Sequence, residues 1–174
     1  MNRFADYFSN YVNDDTITYI GNGDITSFTV SRQDRELAVG LNLESFIDYG
    51  IIENSQNQIA RAMELKKVHI NPRFPKSEFS LDNIERILEY VRHESPAANG
   101  FFDGCEAELE DRTLTLCLKK GGKDVLESQK VDRAIANKIY ELFDLDFVVI
   151  FLCPPDTVIL HRSGDRRKVL LCAD

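Results

Sequence analysis

Cys105-Glu106-Ala107-Glu108-Leu109-Glu110-Asp111-Arg112-Thr113-Leu114-Thr115-Leu116-Cys117-Leu118 is the stretch on which the fold turns. Cys105, Ala107 and Leu109 alternate with Glu106, Glu108 and Glu110. After a polar turn at Asp111-Arg112, Leu114, Leu116 and Leu118 alternate with Thr113, Thr115 and Cys117. Side chains of a strand point alternately to opposite faces, so this pattern predicts a hairpin with one apolar face and one solvated face. From Lys123 to Phe143 the spacing of Val131, Ile135, Ile139 and Leu142 predicts one long helix. Phe147 to Leu152 is an apolar run of strand length, closed by Pro154-Pro155.

The order hairpin, helix, strand also occurs earlier. Ile25 to Ser31 and Glu36 to Leu43 read as two strands around the turn Arg32-Gln33-Asp34-Arg35. A helix from about Glu53 to Glu64 follows, with Ile59, Ala62 and Met63 on its apolar face, then a strand from Lys67 to Asn71 closed by Pro72 and Pro75. Asp34-Arg35-Glu36-Leu37 aligns with Asp111-Arg112-Thr113-Leu114, and Gln58 to Ile70 matches Ala134 to Val149 in layout. The sequence therefore predicts an α+β protein of two ββαβ units, either a structural pseudo-repeat or a common motif used twice. Helices lie between them: one opened by Ser80, with Leu81, Ile84, Leu88 and Val91 as its stripe, and a short one opened by Ser95-Pro96 that carries Phe101 and Phe102 to Asp103-Gly104. A short N-terminal helix is expected through Phe4, Tyr7, Phe8, Tyr11 and Val12, ended by Asn13-Asp14-Asp15, with a turn at Gly21-Asn22-Gly23-Asp24. The expected division is 1–75 for the first α+β unit (N-terminal helix, hairpin, helix, strand) and 76–174 for the second. The second unit would end in a hairpin, Thr157 to Leu160 with Lys168 to Leu171, turning at Ser163-Gly164-Asp165.

The chain has 174 residues and a net charge of −8. A uniformly acidic surface repels phosphate, which disfavours a general nucleic-acid coat but leaves room for a local basic patch. No signal-peptide pattern opens the sequence, and its longest apolar run, Phe147 to Cys153, is too short to span a bilayer, so a cytoplasmic protein without membrane attachment is expected. Cys105, Cys117, Cys153 and Cys172 lack metal-knuckle spacing and read as reduced thiols. His69, His93 and His161 have no second ligand at metal spacing. There is no Gly-x-Ser-x-Gly elbow and no Walker loop. The reading names no catalytic, cofactor-binding or metal-ligating residue, and no cofactor.

Two basic clusters remain. Lys119-Lys120-Gly121-Gly122-Lys123 places glycines and cations before a helix, where free N–H groups can hold a phosphate; a flexible polar loop explains it equally. It differs from the KH loop, which joins two helices. Arg162, Arg166, Arg167 and Lys168 form the second cluster, a nucleic-acid contact or simply a charged hairpin that resists edge aggregation. Glu106, Glu108 and Glu110 share one sheet face and could meet a cation, a basic partner or water.

Leu65-Lys66-Lys67-Val68-His69-Ile70-Asn71-Pro72-Arg73-Phe74-Pro75 and Ser95-Pro96-Ala97-Ala98-Asn99-Gly100-Phe101-Phe102-Asp103-Gly104-Cys105 come in order before the Asp111-Arg112-Thr113-Leu114 hairpin and Gly121-Gly122. Together with 25–65, this succession resembles the amino-terminal region of the PolC-type DNA polymerase III alpha subunit, the replicative polymerase of low-GC Gram-positive bacteria. The resemblance covers roughly residues 25–152, and the residues after Cys153 fall outside it. It implies a non-catalytic interaction module of KH-like or clamp-loader-tail-like shape that serves DNA replication and binds replisome proteins, the clamp-loader subunit among them, with the polymerase and exonuclease acids in later domains. The alternative is a direct nucleic-acid-binding module using Lys119, Lys120 and Lys123 with Arg162, Arg166 and Arg167.

Overall fold

The computed structural model describes residues 2–153 in full, and 156–162 and 165–171 as strands without their side chains. The protein is α+β. It divides into two compact units, Met1–Glu89 with Ile139–Leu145, and Tyr90–Lys138 with Asp146–Asp174. The sequence placed the division at 75/76. Residues beyond Pro75 group with the first unit because they bond to it: the Glu78 carboxylate accepts from the Phe46 N–H at 2.9 Å, and Arg86 pairs with Asp48 while its guanidinium lies 4.8 Å from the Phe46 ring centroid.

The first unit opens with helices α1 (Phe4–Phe8) and α2 (Asp14–Ile20). The second was not expected. The helix expected through Tyr11 and Val12 stops at Phe8, with Ser9 as its C-cap. Asn13 starts a second helix instead of ending the first, its side chain accepting from the Thr16 N–H at 2.9 Å. Asn and Asp act at both kinds of boundary, because a short polar side chain satisfies a free helix N–H as readily as it supports a turn. Strands β1 (Asp24–Ser31) and β2 (Glu36–Asn42) form the expected antiparallel hairpin. Helix α3 (Tyr49–Ala62) crosses over to β3 (Lys67–Arg73), which runs parallel to β2. The sheet order is β1-β2-β3. Pro72 lies inside β3, opposite Leu41, rather than ending it. An edge strand tolerates a residue without an N–H. Leu37, Val39 and Leu41 from β2, Val68 and Ile70 from β3, and Ile52 and Ile59 from α3 are all buried.

A 3-10 turn at Leu81–Asn83, with Ser80 Oγ accepting from the Asp82 N–H at 3.2 Å, leads into α4 (Ile84–Glu94). The helix expected after Ser95 is only a 3-10 turn, Pro96–Ala98. Asn99 is already extended (φ −65°, ψ 128°) and Gly100 follows at φ 85°, so helical geometry ends before Phe101, and Phe102 is buried without being helical.

The second unit has the hairpin β4 (Glu106–Glu110) and β5 (Thr113–Cys117), antiparallel as expected, and β6 (Val148–Leu152) parallel to β5, in the order β4-β5-β6. The long helix is two: α5 (Lys123–Ser128) and α6 (Val131–Phe143), with Lys130 at φ 56° between them. Leu126 and Val131 are both fully buried, yet five positions separate them, a step that falls off the three-and-four rhythm of one helical face. Breaking the helix lets both point inward. The Ser128 hydroxyl, donating to the Val125 carbonyl at 2.8 Å, helps end α5. Strands β7 (Asp156–Arg162) and β8 (Asp165–Leu171) pair antiparallel. Ser163, Gly164 and Cys172, singled out in the sequence, lie outside the described residues.

The pseudo-repeat extends to single hydrogen bonds. The Arg35 carbonyl, just before β2, accepts from the Lys66 N–H at 2.8 Å; the Arg112 carbonyl, just before β5, accepts from the Val148 N–H at 2.8 Å. The two arginines aligned in sequence thus fix where each parallel strand begins. After α3 and after α6 the chain turns through left-handed residues, Glu64 (φ 52°) and Asp144 (φ 55°).

Within the first unit, the Phe143 ring lies 5.6 Å from Phe46, 5.7 Å from Phe74 and 5.6 Å from Phe79, centroid to centroid, and is wholly buried. Phe143→Ala should therefore destabilise the protein by about 3–5 kcal/mol in denaturant unfolding. Val148→Ala, at an exposed site, should change stability by less than about 0.5 kcal/mol.

Candidate protein-binding face

A parallel β5–β6 pair needs a crossover connection, here α5 and α6. One face of the sheet holds Leu114, Leu116, Val149 and Phe151, all buried, with the Phe151 ring 6.0 Å from that of Phe102. The alternate residues of all three strands go to the other face. On β6, Val148, Ile150 and Leu152 are 61%, 41% and 47% exposed. On β5, Thr113, Thr115 and Cys117 stand between, half-buried. On β4, Glu106, Glu108 and Glu110 are exposed. The register joins them into rows across the sheet: Glu110 opposite Thr113 opposite Val148, Glu108 opposite Thr115 opposite Ile150, and Glu106 opposite Cys117 opposite Leu152. The open face thus has an acidic edge, a central row of short side chains and an apolar edge.

The carboxylate row follows directly from the alternation in the sequence. The apolar row does not. Phe147 to Leu152 is apolar at every position, and such a run gives no sign of which residues are buried. The signal was the position of β6 as the last strand of a ββαβ unit, where only one face is helix-covered.

Charge shapes the same surface. Lys119 Nζ lies 2.8 Å from a Glu106 carboxylate oxygen; this contact holds the Glu106 carboxyl below its usual range and the Lys119 ammonium above its own. Burial, and then the charges of Glu108 and Glu106, push the Cys117 thiol up, so Cys117 is a protonated, weakly nucleophilic side chain.

The basic loop is arranged differently from a phosphate cradle. Lys120 Nζ sits 2.8 Å from the Asp103 carboxylate, which Arg92 also approaches at 3.5 Å. Lys119 and Lys120 therefore each face a carboxylate, and Lys123 is half-buried at the start of α5, which is only six residues long. Gly121 (φ 71°) and Gly122 (φ 92°) serve the backbone. A Cβ on Gly122 would stand 2.2 Å from the Phe101 ring, whereas one on Gly121 would meet open space. Close packing against an aromatic ring, rather than a ligand, accounts for Gly122. Arg162, Arg166, Arg167 and Lys168 lie on β7 and β8, paired in register with Asp165, His161, Leu160 and Ile159; their side chains are outside the described residues. Among the described residues, no group of three or more His, Cys, Asp or Glu is placed to hold a metal ion, and no helix is long and apolar enough to cross a membrane.

No family model matches the chain, and no curated protein matches it.

Gly122→Ala should cost about 2–4 kcal/mol, from left-handed strain plus overpacking against Phe101, and Gly121→Ala about 1–2 kcal/mol from strain alone, read by chemical unfolding. The Asp103 carboxyl is held low first by its hydrogen bond to Lys120 and then by the charges of Lys120 and Arg92. A carboxyl lowered in the folded state stabilises the fold fully above its ordinary range and loses that effect as pH falls through the lowered value. Carboxyl-carbon NMR should show Asp103 titrating below the ordinary aspartate range, and Lys120→Ala should move its midpoint upward.

Proposed function

We propose that this chain is a non-catalytic interaction module of a replicative DNA polymerase, working in the cytoplasm and binding protein partners of the replisome. The observation that carries the binding role is the open face of the second sheet. Its apolar edge on β6 stays exposed, and its β4 edge is lined with carboxylates. Apolar side chains exposed in a row favour contact with a second surface, and a charged rim selects which one. The replication assignment is supported by the ordered resemblance to the PolC amino-terminal region.

The competing reading, direct contact with nucleic acid through Lys119, Lys120 and Lys123 with Arg162, Arg166 and Arg167, is weakened at its lysines by the carboxylates facing Lys119 and Lys120. Bringing phosphate there means displacing Glu106 and Asp103 or binding beside them.

The test is a titration of the purified chain against the clamp-loader subunit, with single-stranded DNA run in parallel over a salt series. Saturable binding of the clamp-loader subunit, with DNA bound weakly or not at all, is the expected result. Tight DNA binding that falls steeply with salt, without protein binding, would overturn the proposal in favour of the nucleic-acid reading.

A further inference from the structure

We infer that the open face of the second sheet receives an amphipathic α-helix from a protein partner. The helix lies along the strands with its basic flank over β4 and its apolar stripe over β6. This rests on the reading of the chain as an interaction module and specifies the chemistry of what that module binds.

The dimensions favour a helix. Neighbouring strands are about 4.8 Å apart, so the β4 and β6 rows are about 10 Å apart, close to the width of one helix. The row between them is Thr113, Thr115 and Cys117, all short, which leaves a shallow trough between the glutamates of β4 and the longer Ile150 and Leu152 of β6. Successive glutamates on one face of β4 are about 7 Å apart, and helix residues at i and i+4 are about 6 Å apart along the axis, so two cations one turn apart meet two carboxylates. Five-residue strands span about 17 Å, matched by about eleven helical residues.

The same dimensions argue against an added strand. A strand paired to the free edge of β6 would lie about 14 Å from the β4 row and leave the carboxylates without a role. Charge sets the sign of the partner. Glu106 is already engaged by Lys119, so Glu108 and Glu110 are the carboxylates left for incoming lysines or arginines. Ile150 and Val148, opposite Thr115 and Thr113 in the same two rows, supply the apolar contact.

The test uses the full chain and two synthetic helical peptides of about twelve residues. Both carry the same leucine stripe; one has a lysine flank and the other a glutamate flank. The lysine peptide should bind in calorimetry and slow alkylation of Cys117, followed site by site in mass spectrometry, and the glutamate peptide should do neither. Glu108→Lys/Glu110→Lys should weaken the lysine peptide by about tenfold or more and create affinity for the glutamate peptide. Glu108→Gln/Glu110→Gln, which removes charge without reversing it, should fall between. Asp14→Asn/Asp15→Asn, two exposed carboxylates of the first unit, should leave binding unchanged.

Equal binding of the lysine peptide by wild type, Glu108→Gln/Glu110→Gln and Glu108→Lys/Glu110→Lys, or an unchanged Cys117 rate with peptide bound, would overturn the inference. The two proposals separate cleanly. If the clamp-loader subunit binds and the charge swap leaves its affinity untouched, the function stands and this surface is wrong. If the peptides obey the swap and the clamp-loader subunit does not bind, the surface stands and the replication assignment is wrong.

Discussion

The parallel pairing of the second and third strands in each ββαβ unit is the constraint from which the remaining features follow. Two adjacent parallel strands cannot be joined by a tight turn, so the chain must leave the sheet, form a helix and return. The helix then buries one set of alternating side chains and leaves the other outside. In the second unit Val149 and Phe151 are buried while Val148, Ile150 and Leu152 are exposed, although all five are equally apolar. The hydrogen bond from Val148 to the Arg112 carbonyl fixes the register that makes this division. A shift of one residue would bury the exposed set and expose Val149 and Phe151.

The hairpins were legible as strands from alternation, although it did not tell which side chains are covered, since Phe28 and Val30 are 50% and 54% exposed. The aligned arginines pointed to a repeat without deciding it. What was not legible depended on information outside the local pattern. Asn13 reads as a stop in sequence and is a start in the fold, the first helix having already ended at Phe8. The break between α5 and α6 becomes visible only when Leu126 and Val131 are both known to be buried. Pro72 ends a strand in sequence terms, and is tolerated because β3 lies at a sheet edge.

The candidate site was half legible. Glu106, Glu108 and Glu110 stood out as a row, with a basic partner among their possible counterparts, but the apolar row that completes the face was hidden in a uniformly apolar run. The lysines of the Gly121-Gly122 loop were legible as charge and not as pairing. Their carboxylate partners, Asp103 and Glu106, come from elsewhere in the fold, and the absence of a side chain at Gly122 makes room for the Phe101 ring. Positive charge in sequence is evidence for an anion site only when the fold leaves that charge unengaged.

The central claim is that β6 presents an apolar row to solvent on an uncovered sheet face. Single cysteines placed in turn at 148, 149, 150, 151 and 152, in a chain whose native cysteines are replaced by alanine, test it directly through their alkylation rates. The account predicts alternation, with fast reaction at 148, 150 and 152 and protection at 149 and 151. Protection at all five positions would show that the face is already covered and would contradict it.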